Sequence, residues 1–118
     1  MQIIKLDTML PRLKRKGLVL VLTAEANLEK AQYLANKLLL DRLVSCISFQ
    51  KINSQYFWDG KLEQNDEIQL LIKTNNSQLK KVLDLIEKTH SYDLPEILFW
   101  NASSSESYSE WTKNITNS

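Results

Sequence analysis

An α+β sandwich with an antiparallel sheet is the fold class this sequence predicts, on three observations. The run LVLVLT, Leu18 to Thr23, is continuously apolar and β-branched, as a central strand covered on both faces would be. Two later segments carry apolar residues at helical spacing. Between them, Asp59-Gly60 joins two long stretches of strand character through the pair of residues that a tight type I′ hairpin turn prefers.

Taken in order, residues 1–17 read as an N-terminal extension, because Pro11 and the basic run from Arg12 to Lys16 interrupt any apolar period. The domain proper is expected over residues 18–118. After the first strand, Asn27 is a suitable cap for a helix with Leu28, Ala31, Ala35, Leu38 and Leu39 on one side, ending near Asp41 or Arg42. Leu43 to Trp58 returns to strand character, and its alternation changes phase at Gln50 and Lys51, which predicts a bulge or bend there.

The return strand runs from Lys61 to Thr74 through the polar stretch Glu63 to Glu67. Asn75, Asn76 and Ser77 can each cap a second helix, whose stripe Leu79, Val82, Leu83 and Ile86 extends toward His90. Pro95 separates it from a strand at Glu96 to Trp100. SSSES reads as a short serine-rich loop before a final helix with Tyr108, Trp111, Thr112 and Ile115 on one face. The resulting order, βαββαβ with an extra helix, matches the ferredoxin-like sandwich, in which two helices cover one sheet face. The other face is left without helices, and sister copies of the chain are expected to cover it together with the aromatic hairpin of Tyr56, Phe57 and Trp58.

Composition narrows the function. The 118 residues suit one domain, and the formal charge of +1 supplies no basic footprint for nucleic acid. Cys46 is the only cysteine, so no intrachain disulfide can form. No window approaches the run of about 18 apolar residues that a membrane helix needs, and the N-terminus lacks an export pattern; a cytoplasmic protein is expected. Catalytic motifs are also missing: there is no nucleophile elbow, phosphate loop, HExxH or CxxC, and an enzyme is not expected.

The series LVLVLTA, RLVSCISF, SQYFWDGKLEQ, LLIKT, HSYDLPEI and YSEW resembles the CutA divalent-cation tolerance family in order and spacing, from Leu18 to Ile115. The combination of YFWDGK with HxYxxPE is the specific part. The resemblance implies a homotrimer of PII-like architecture, with hairpins crossing between subunits and clefts at their boundaries. It implies a role in the response to metal ions without a required cofactor, and Cu(II) or another divalent metal as a weakly bound ligand. Where the family's bacterial copper pattern has a cysteine on the first strand and two adjacent histidines, this chain has Leu22, Thr89 and His90, so only His90 matches. Gln50-Lys51 and Ser91 also replace the prolines usual at the strand bend and after the histidine.

Several residues carry two readings. His90 is either a metal ligand, paired with Glu96 across the turn, or a structural histidine closing its helix. Cys46 is either core or a reactive thiol. Tyr56, Phe57 and Trp58 are either interface anchors or a platform on which a planar ligand stacks. Lys73, Tyr92 and Glu96, with Trp58, match family positions at the subunit cleft, where a cation, a phenol and a carboxylate could hold a small anion or organic molecule. The alternative function is accordingly a PII-like small-molecule sensor.

Overall fold

The computed structural model describes residues 15–116. Most of the expected N-terminal extension, residues 1–14, lies outside them, and its last residues open the first strand. The elements are β1 (Arg15–Glu25), α1 (Leu28–Leu40), β2 (Cys46–Trp58), β3 (Lys61–Thr74), a 3-10 turn (Asn76–Gln78), α2 (Leu79–Thr89), β4 (Leu98–Ser105) and α3 (Glu106–Ile115). The four strands form one antiparallel sheet in the order β2-β3-β1-β4, as the ferredoxin-like plan requires.

Alternation along β1 and β3 divides the sheet into two faces. Val19, Val21, Ile68, Leu70 and Ile72 point to the face covered by α1 and α2, where they join Leu34, Leu38, Val82 and Ile86 in the core. Helix α1 starts where the Asn27 side chain accepts the Lys30 amide hydrogen at 2.9 Å. Its buried stripe is Ala31, Leu34, Ala35 and Leu38. Leu28 and Leu39, expected on that stripe, are instead exposed, because Leu34 occupies the position one turn before Leu38.

The long hairpin departs from expectation in an informative way. Its register runs from Cys46↔Lys73 to Trp58↔Lys61 with no residue left over, so there is no bulge at Gln50-Lys51. The phase change has another cause. Strand β1 accompanies β3 only between Glu25↔Ile68 and Val19↔Thr74, so the pairs from Ile52↔Glu67 outward project beyond the sheet by about 23 Å, at about 3.3 Å per residue. Out there, neither face is held to the pattern that burial imposes on the inner half. Asp59 and Gly60 close the tip with φ of 52° and 74°, the two positive values of a type I′ turn.

Two boundaries also move. β4 begins at Leu98 and continues through the serines, whose backbones pair as Ser103↔Gly17, Ser104↔Lys16 and Ser105↔Arg15; the serine run is strand, because ladder bonds use the main chain and do not depend on side-chain apolarity. Ser105 then caps α3, accepting the Tyr108 amide hydrogen at 3.3 Å. Helix α3 is fastened by the Thr112–Ser45 hydroxyl pair at 2.9 Å and by the Gln78 amide, which donates to the Thr116 carbonyl at 2.8 Å.

Candidate functional site: an aromatic and acidic cavity beside the hairpin

The site begins with a buried polar node at the end of β1. Continuing the alternation of Val19, Val21 and Thr23 puts Glu25 on the covered face, and it is 1% exposed. A carboxylate taken out of water needs partners. Its oxygens accept from the Ala26 amide at 3.2 Å, the Ser91 amide at 3.0 Å and the Ser91 hydroxyl. His90 closes the same node: its Nδ1 accepts the Tyr92 amide hydrogen at 3.0 Å, so Nε2 carries the hydrogen donated to the Ala24 carbonyl at 2.8 Å. Nδ1 also lies 3.6 Å from Glu25 Oε2. The node ties the loop of residues 91–97 to the strand that ends at Glu25.

That loop and the projecting hairpin flank an open cavity of about 680 Å³. Tyr56, Trp58 and Tyr92 supply aromatic walls, and Glu67, Asp93 and Glu96 supply carboxylates. Tyr92 fixes one wall by donating from its hydroxyl to Glu67 Oε2 at 2.7 Å. Burial, then this hydrogen bond and the charge of Glu67, raises the Tyr92 phenol well above its ordinary value, so it remains a donor. The Tyr92 ring also sits 5.0 Å from the His90 ring, which places the buried node directly behind the cavity wall. On the opposite wall the Tyr56 hydroxyl accepts from Asn65.

Of the residues singled out from sequence, Trp58, Tyr56, Tyr92 and Glu96 are brought together here, and Phe57 lies at the same rim with 78% of its surface exposed. His90 is beneath the site with both ring nitrogens engaged, and a metal bound there would have to displace one of those bonds. Lys73 is elsewhere within the chain. It shares a strand and a face with Glu67 but lies six residues along it, about 20 Å away. Its ammonium lies 3.8 Å from the Cys46 sulfur and donates to the Ser48 hydroxyl. Among the described residues, no group of three histidine, cysteine or acidic side chains is placed to hold one metal ion.

Neither Glu25 nor Asp93 is singled out from sequence, and Glu67 is placed there only within the polar stretch Glu63 to Glu67. Period-two counting from Val19 would have found Glu25, and counting from Ile52↔Glu67 would have separated Glu67 from Asp66.

A ferredoxin-like sandwich whose central hairpin outruns its sheet, with a cavity between that hairpin and the loop after the second helix, defines a narrow class of small α+β proteins. The CutA1 divalent ion tolerance protein family matches residues 19–115, and the chain belongs to that family. It is 42% identical over 83 residues to the divalent-cation tolerance protein CutA of Pectobacterium atrosepticum, covering 69% of this chain and 76% of that one. It is 33% identical over 100 residues to the chloroplastic protein CutA of Arabidopsis thaliana, covering 83% of this chain and 55% of that longer protein. The solved structure of CutA from Synechococcus elongatus superposes with a TM-score of 0.83 at 30% identity, covering 87% of this chain and 96% of that one.

Proposed function

We propose that this chain is a non-enzymatic, cytoplasmic homotrimer that contributes to divalent-cation tolerance and the response to metal ions, with at most weak binding of Cu(II) or another divalent metal. Family membership over residues 19–115 supports the tolerance role. The observation that supports assembly is the hairpin, where Phe57, Trp58 and Leu62 remain 78%, 54% and 59% exposed beyond the part of β3 that β1 accompanies. Large exposed aromatics of this kind are the usual anchors of protein interfaces.

Weak binding of metal follows from the donor chemistry. With Leu22 and Thr89 at two of the family's copper-ligand positions and the His90 nitrogens already bonded, the remaining donors among the described residues are the lone Cys46 thiol and carboxylates, and no three of them converge on one ion. Titration of the purified chain with Cu(II) and Zn(II) is expected to give dissociation constants weaker than about 10 μM, unchanged by His90→Gln. Submicromolar binding that the substitution abolishes would contradict this reading. In a bacterium lacking its own CutA, expression of the chain is expected to restore growth in elevated copper, and failure to do so at normal expression would remove the tolerance role.

A second reading, a PII-like trimer that binds a small molecule at a cleft, is favoured by one observation: the cavity has the volume and the mixed apolar and polar lining of a ligand site.

A further inference from the structure

We propose that the cavity between the hairpin and residues 91–97 selects an organic cation, a protonated amine or quaternary ammonium carried on an apolar body. This rests on the second reading above, that the cavity takes a small molecule, and adds the charge and chemical class of the ligand.

The case starts from the separation of Lys73 from the site. Considered as a set in the sequence, Lys73, Tyr92 and Glu96 are balanced between an anion and a cation. The fold moves Lys73 about 20 Å along β3 and engages its ammonium with Cys46 and Ser48. What remains is one-sided: among the described residues that line the cavity there are three carboxylates, Glu67, Asp93 and Glu96, and no lysine, arginine or histidine. Among these lining groups an anion would meet only like charge, and partial desolvation by the walls strengthens that repulsion.

The size and lining then decide between cations. A divalent metal needs several oxygens converging at little over 2 Å, and the described acidic groups do not converge in that way. Carboxylates spread around a cavity of about 680 Å³ instead suit a charge distributed over a larger ligand. The aromatic walls add a second attraction, since the faces of Tyr56, Trp58 and Tyr92 carry the negative quadrupole that draws ammonium groups. Tyr92 joins the two features. Its hydroxyl is committed to Glu67, which holds both ring and carboxylate in place at the cavity wall. The His90 and Glu25 node holds the backbone amides of Tyr92 and Ser91, and the His90 ring lies 5.0 Å from the Tyr92 ring.

The test uses one scaffold in three charge states, phenethylammonium, 2-phenylethanol and phenylacetate, titrated calorimetrically against the full-length protein in its native assembly. Phenethylammonium is expected to bind about tenfold tighter than the neutral alcohol, and phenylacetate is expected not to bind. Glu96→Gln should weaken phenethylammonium about tenfold while leaving the alcohol unchanged, and Trp58→Leu should weaken both. Glu67→Gln provides a second charge variant should the first fail to fold, and Asp84→Asn, on the exposed side of α2, should have no effect. Equal binding of all three probes would overturn the cationic class while leaving a ligand cavity in place. Binding of none, including the case where a sister subunit fills the cavity, would overturn the small-molecule reading itself.

Discussion

The inner and outer halves of the β2–β3 hairpin each carry a cross-strand apolar pair, and the two pairs meet opposite conditions. In the inner half, Ile47 faces Ile72, and Ile72 and Leu70 are fully buried beneath α1 and α2. In the outer half, Phe57 faces Leu62 in the same continuous register, yet both side chains are mostly exposed. Regular pairing therefore does not tell a folding element from an assembly element; what covers the side chains does. The inner half is stabilised by the chain's own helices, and the outer half leaves apolar surface exposed, which the proposed assembly would cover.

Breaking the two halves separately tests that division. Leu70→Ala removes a fully buried side chain from the centre of the core and is expected to lower unfolding stability by about 2–5 kcal/mol, read as a lower urea midpoint. Phe57→Ala should leave the far-ultraviolet spectrum unchanged and act on assembly alone. Equal losses of secondary structure in both variants would erase the distinction.

A smaller effect is expected at the junction of the halves, where Tyr92 bonds Glu67. Tyr92→Phe should cost about 1 kcal/mol at neutral pH. Burial and Glu67 raise the phenol above its ordinary 10.0, so the neutral form is favoured in the folded state. Its contribution is complete below the unfolded value and is lost as pH rises through the folded one. Stability of the native protein should fall in the alkaline range above about pH 10, and that part of the fall should be missing from the Phe variant. Parallel alkaline profiles for the two proteins would contradict the assignment.

Much of this architecture is legible in the sequence wherever burial imposes a period. LVLVLT, the α1 and α2 stripes and the Asp59-Gly60 turn each follow from one local rule. The errors lie where no such rule operates. The phase change at Gln50-Lys51 suggests a bulge because alternation is read as if both ends of the strand were covered. The serines of β4 look like loop because their place in the sheet depends on main-chain pairing with β1, which leaves no side-chain signature. The candidate site is only partly visible for a related reason. Tyr92 and Glu96 lie close together in the chain and stay together in space, whereas Lys73 is separated from them by the straightness of β3. Glu25 and His90 meet across 65 positions of sequence, and nothing local to either residue announces the other.

The claim underlying all of this is that the outer half of the hairpin is completed by sister chains. Static light scattering on the purified protein at micromolar concentration tests it most directly. A homotrimer predicts a particle of three times the 13.7 kDa chain mass, unchanged on dilution through that range. A stable particle of 13.7 kDa would show that the hairpin stands exposed on a lone chain, and would contradict the account.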